Sequence, residues 1–190
     1  MTARLARLVV LVALTVTAAG CASASQRPAG APGAPPSATA GASATGVSAT
    51  GVSATGRLIC SDEAQEDIAT AVGLPTSRPV AGTLKGDEYS CEYAYPAGTM
   101  RLSVTELADD PSTDAFFASV RQTSAASEHL AGIGQDAYQS QDGSMVVRKD
   151  RKVLRVDVGG LPARYGQPPT ARRQLAAAVA VVIMECWTGN

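Results

Sequence analysis

Apolar and polar residues take turns along this chain in two distinct periods, and the periods predict its elements. Ala64, Ile68, Ala71 and Val72 fall at helical spacing; Asp62 and Gln65 have the spacing of a capping box, and Gly73-Leu74-Pro75 is a stop, so a first helix is predicted there. Tyr89, Cys91, Tyr93 and Tyr95 alternate with Ser90, Glu92 and Ala94, and Met100, Leu102 and Val104 alternate with Arg101, Ser103 and Thr105. A period of two puts one sheet face on a core and leaves the other wet. The two runs, joined across Pro96-Ala97-Gly98-Thr99, read as a hairpin. A second helix starts at Asp110-Pro111, buries Phe116, Phe117 and Val120, and fades by Ser127. Beyond Gly132-Ile133-Gly134 come three short strands, Ala137 to Ser140, Met145 to Lys149 and Val153 to Val158, with Asp142-Gly143 as a hairpin turn. A last helix runs from Thr170 to Cys186 with Leu175, Val179, Val182, Ile183 and Cys186 as its core stripe, Trp187 as a packing anchor and Gly189 as its stop.

The order α-β-β-α-β-β-β-α predicts an α+β domain. The expected architecture is a two-layer sandwich: an antiparallel sheet of about five strands with three helices on one face. The far face of that sheet then carries Glu92, Arg101, Arg148, Arg155 and Asp157. Those five residues are the candidate binding face.

The N-terminal third has a different character. Arg4 and Arg7 precede an apolar run, Leu8 to Val16, and Thr17-Ala18-Ala19-Gly20-Cys21 follows. A basic start, a short apolar stretch and small residues before a cut site describe a secretory signal peptide over residues 1–20. The apolar run falls short of the ~20 residues a membrane span needs. The ending resembles the lipobox of prokaryotic lipoproteins, with Ala18 where Leu is commonest. The resemblance implies diacylation of Cys21, and two acyl chains suffice for stable anchoring. Cleavage after Ala22-Ser23-Ala24 is the competing reading and would release the protein. Residues 21–56 are rich in Ala, Gly, Pro, Ser and Thr, and contain the repeats Ala42-Ser-Ala-Thr-Gly46, Val47-Ser-Ala-Thr-Gly51 and Val52-Ser-Ala-Thr-Gly56. Such a composition buries too little apolar surface to offset chain entropy. It reads as a disordered tether with an r.m.s. span of ~30–35 Å, and its Ser/Thr density suits an unmodified spacer or an O-glycosylated one. Residues 57–190 then form a single globular domain.

Charge and cysteines narrow the function. The formal net charge is −1, and losing Arg4 and Arg7 leaves 14 basic against 17 acidic residues. Neither that balance nor an aromatic content of 4% suits nucleic acid. With Cys21 assigned to lipid, Cys60, Cys91 and Cys186 remain for an oxidising compartment. Cys60–Cys91 is the preferred disulfide and Cys60–Cys186 the alternative; in the chain-entropy model the loops are worth ~3.7 and ~4.9 kcal/mol. The cysteine spacings match no zinc motif, His129 is the only histidine, and no GxSxG, HExxH or phosphate-loop motif occurs. No cofactor, metal or catalytic residue is therefore assigned. The run Arg148-Lys149-Asp150-Arg151-Lys152 reads as a solvated hairpin tip, with anionic headgroups or acidic polymers as its alternative partners. Tyr89, Tyr93 and Tyr95 read as core, with an apolar ligand groove as the alternative.

From Cys60 to its end the chain resembles a family of small actinobacterial exported lipoproteins of unknown function, and less closely the DUF3558-like lipoproteins of mycobacteria and streptomycetes. The segments that carry the likeness are Cys60-Ser-Asp-Glu, Tyr89-Ser-Cys-Glu-Tyr93, the Gly132-Ile-Gly stretch running to Tyr138, Asp142-Gly-Ser-Met-Val-Val-Arg-Lys149, Val153-Leu-Arg-Val-Asp-Val-Gly-Gly-Leu-Pro162 and Cys186-Trp-Thr-Gly189. The resemblance implies export and anchoring, and no activity. The expected protein is a lipid-anchored, extracytoplasmic, non-catalytic binding or accessory module of the cell envelope. Its partners are the membrane, through Cys21, and an envelope protein, a glycopolymer or a small apolar ligand. An enzyme acting on envelope components is the alternative.

Overall fold

A computed structural model describes residues 51–124 and 128–188. The leader, Cys21, the tether up to residue 50, the expected fade of the second helix at Ser127 and the helix stop at Gly189 lie outside the described residues.

The described chain opens with α1 (Ala54–Arg57) and a 3-10 turn (Leu58–Cys60), then α2 (Asp62–Val72). The cap of α2 is Ser61, one residue before the expected Asp62; its hydroxyl accepts from the Ala64 N–H at 3.2 Å. Asp62 instead sits in the first turn, where a negative charge suits the helix dipole. Gly73 closes α2 in the left-handed region, with φ 74°. A Cβ there would lie 1.9 Å from the Gln167 carbonyl oxygen, so only glycine fits.

Strands β1 (Gly82–Lys85), β2 (Glu88–Tyr95) and β3 (Gly98–Glu106) precede α3 (Asp110–Thr123). The cap of α3 is Asp109, again one residue ahead of the expected start. Then come β4 (Glu128–His129), β5 (Asp136–Gln139), β6 (Met145–Lys149), β7 (Lys152–Asp157), β8 (Arg164–Tyr165), β9 (Thr170–Ala171) and α4 (Arg172–Thr188). Seven strands pair antiparallel in the order β1-β2-β3-β7-β6-β5-β4, and β8 and β9 form a separate ribbon. The fold is α+β, as the pattern predicts, but the sheet holds seven strands where about five are expected. The two extra strands are the edges. β1 is exposed throughout and β4 has only two residues, so neither carries the alternation that marks a half-buried strand.

Register builds the core row by row. Cys91, Leu102, Val156, Met145 and Gln139 lie opposite one another across five strands. Ile68 and Val72 of α2 and Leu175, Val179 and Ile183 of α4 cover that face. Cys60 and Cys91 are joined by a disulfide, with Cα atoms 5.9 Å apart. This ties the turn before α2 to the sheet. Cys186 is buried and takes no part in that disulfide.

The second expected helix, α3, is not on that face, so only two of the three expected helices share it. Phe117 and Val120 of α3 pack on Tyr138, Val146 and Val153, which point to the opposite side of the sheet. The Phe117 and Tyr138 rings meet edge-on with centroids 5.3 Å apart. The reason lies in two apolar doublets, Val146-Val147 and Val153-Leu154. A doublet puts an apolar side chain on each face, so both faces need cover there.

The boundary of the tether also moves. Val52 is buried in the main core and Gly56 is buried in α1. Residues 51–56, expected to be tether, belong to the domain.

Candidate binding face

The sheet face opposite α2 and α4 is built in cross-strand rows. Glu92, Arg101 and Asp157 form one row; Ser90, Ser103, Arg155, Val146 and Tyr138 form the next; Glu88, Thr105, Val153, Arg148 and Asp136 form the third. All five candidate residues therefore lie on one face. α3 divides them. It covers the β5–β6 side, and with it Arg148, whose side chain is only 13% exposed. The Arg148 guanidinium stands 2.8 Å from Asp114 Oδ1 and 3.5 Å from Asp110 Oδ1, both on α3. Arg148 is thus a strut between sheet and helix and leaves the candidate surface.

The open part carries the other four. Arg101 donates to Glu88 Oε1 and to Ser90 Oγ, each at 3.0 Å. Glu92 is paired with Arg78. Arg155 and Asp157 open into a groove of about 540 Å³, walled by Thr123 and Ser124 at the end of α3 and by the β5–β6 turn. Arg155 is exposed and makes no hydrogen bond or ion pair with any described residue. Asp157 accepts from the Gly159 N–H at 2.9 Å and from Ser144 Oγ at 3.3 Å.

The turn beside this groove is rigidly wired, and sequence reasoning read only its Asp-Gly step. Asp142 accepts from Ser140 Oγ at 2.6 Å, from the Ser144 N–H at 3.0 Å and from Ser144 Oγ at 2.9 Å. Burial pushes the Asp142 carboxyl up. The bonds from Ser140 and Ser144 and the charge of Arg172 outweigh that push and hold it below the usual carboxylate range. Gln139 anchors the turn to α4: its amide donates to the Gly143 and Arg173 carbonyls and accepts from Arg173 Nε. A Gln at a core-facing strand position is the signal that could have marked this network.

Other candidates resolve as scaffold. Tyr93 is fully buried and Tyr95 is 6% exposed; the Tyr93 hydroxyl donates to the Ile59 carbonyl at 2.7 Å. Burial drives both phenols far above their usual range. The Tyr93 and Tyr95 rings belong to the main core, and Tyr89 packs half-buried against it with the Arg57 guanidinium over its ring. The basic hairpin tip is tied down: Lys149 donates to the Met184 carbonyl, Arg151 to the Ala108 carbonyl, and Lys152 stands over the Trp187 ring. His129 lies on β4 with Nε2 3.1 Å from Asp136 Oδ1, both largely exposed. Arg173, near the start of α4, meets Glu128 at 2.7 Å. Among the described residues no three His, Cys, Asp or Glu side chains gather as a metal site, and no helix is long and apolar enough to cross a membrane. No family model, no curated protein and no solved structure matches the chain.

Proposed function

We propose that the protein is an extracytoplasmic lipoprotein of the cell membrane, anchored through Cys21, whose domain is a non-catalytic binding module. The observation that carries the binding half is the groove at Arg155. An exposed cation with no hydrogen bond or ion pair among the described residues stands beside the Asp157 carboxylate and a wired polar turn. Polar groups with capacity to spare, held on a rigid sheet, suit recognition of a polar envelope partner. The anchoring half is supported by the leader and its small-small-Cys ending. The resemblance to actinobacterial exported lipoproteins, which implies export and anchoring alone, supports that half.

The two halves are tested separately on cells making the full chain. Labelled fatty acid is expected on the wild type and absent from Cys21→Ala; an unlabelled wild type removes the anchor. A photo-crosslinker at Gln141, on the groove rim, is expected to give a discrete adduct that Arg155→Glu abolishes. A crosslinker at Glu63, on the exposed side of α2, is the control. Equal adducts from both positions, or adducts indifferent to Arg155→Glu, overturn the groove as the binding site.

A further inference from the structure

The last pentapeptide repeat, Val52-Ser-Ala-Thr-Gly56, is held in a formed seat. Val52 is 4% exposed within the main core. Ser53 donates its N–H to Glu106 Oε2 at 2.9 Å, and its hydroxyl caps α1 by accepting from the Gly56 N–H at 3.2 Å. Arg57 Nε donates to the Val52 carbonyl at 3.1 Å. Gly56 is buried, and a Cβ on it would fall 2.2 Å from Val52 Cγ1. The seat therefore reads valine at the first position, while the serine cap at the second and the glycine at the fifth, whose Cβ would meet Val52 Cγ1, shape the segment itself to fit. Ala54, at the third, is exposed and unread.

The five residues just before it, Val47-Ser-Ala-Thr-Gly51, are identical. The repeat before those begins with Ala42 and lacks the valine methyls that fill the core. We propose that the seat is a binding site for an uncharged Val-Ser-x-x-Gly segment, with two occupants in the same chain: Val52–Gly56, as seen, and Val47–Gly51 in exchange. The two present the same groups to the same pocket. What separates them is the closure of a five-residue loop over 52–56 and the loss of the bond from the Arg57 N–H to the Ser53 carbonyl. Opening is cheapest where a chain enters its domain. Exchange shortens the tether between Cys21 and the seat by one repeat, from residues 22–51 to residues 22–46.

The test is amide exchange and thermal melting of the full mature chain as wild type, Val52→Asp, Val47→Asp and the double variant. In Val52→Asp, protection is expected to leave Ser53–Gly56 and to appear at Ser48–Gly51. Val47→Asp alone is expected to melt like the wild type, and the double variant about 4 °C below Val52→Asp. The proposal is overturned if Ser48–Gly51 exchange as fast in Val52→Asp as in the wild type and the double variant melts with Val52→Asp. Should Val52→Asp not fold, Val52→Ala and Val47→Ala/Val52→Ala give the same comparison at milder cost.

Discussion

Asp142 shows how much one side chain can organise. It sits in the β5–β6 turn before Gly143, whose φ of 91° no L-residue adopts at ease. Its carboxylate gathers two hydroxyls and an amide from Ser140 and Ser144, so the turn is fixed from inside, and Ser144 Oγ extends the network to Asp157 in the groove. Because these bonds and Arg172 hold its pKa below the usual range despite burial, the folded state binds the proton less readily than the unfolded chain. The stability this confers is fully present above the unfolded carboxyl pKa of ~3.9 and is lost as pH falls through the folded value. Asp109, held low by the Ser112 N–H, hydroxyl and the charge of Arg151, acts with the same sign. Asp142→Asn should therefore melt below the wild type at pH 7. The gap should narrow once the pH drops below ~4 and close at lower pH. Melting temperatures across pH 2.5 to 7 would check this, and a gap constant over that range would contradict it.

At the scale of elements, α3 decides which surface the sheet offers. Its hold has an apolar part, Phe117 and Val120 on Tyr138, Val146 and Val153, and an ionic part, Arg148 with Asp110 and Asp114. The two differ in weight. Removing a buried aromatic ring costs about 3–5 kcal/mol. The ion pairs reach carboxylates that are about two-thirds exposed, and pairs of that kind are worth roughly 0–1 kcal/mol. Phe117→Ala should thus destabilise the domain severalfold more than Arg148→Met in urea denaturation; the reverse order would mean that the charges hold the helix. The same element marks where the sequence stops being legible. The existence of α3, its apolar residues and its proline start follow from local pattern. Its side of the sheet depends on Val146 and Val153, and these are seen to matter only when both strands are registered against each other. The groove beside it was equally hidden: Arg155 and Asp157 are legible from alternation, whereas Thr123, Ser124 and Ser140 reach the site through tertiary packing alone.

For the molecule as a whole, the question is where the tether ends and the domain begins. Composition sets the boundary at Arg57, because Val52-Ser-Ala-Thr-Gly56 repeats Val47-Ser-Ala-Thr-Gly51 residue for residue. Packing sets it at Gly51, because one copy of the repeat meets the core and Glu106. That difference has a measurable size. A chain starting at Arg57 exposes the site that Val52 fills, which costs about 1.5–3 kcal/mol for a buried valine. It also loses α1 and, with it, the bond from the Ser53 N–H to Glu106, worth about 1 kcal/mol. The disulfide from Cys60 remains and still ties the 3-10 turn to β2, so the shortened domain should fold. Residues 57–190 should unfold at lower urea than residues 51–190 by roughly 2–4 kcal/mol in extrapolated stability, while residues 51–190 should match the full mature chain. Equal stability of all three would return residues 51–56 to the tether and remove the seat on which repeat exchange depends.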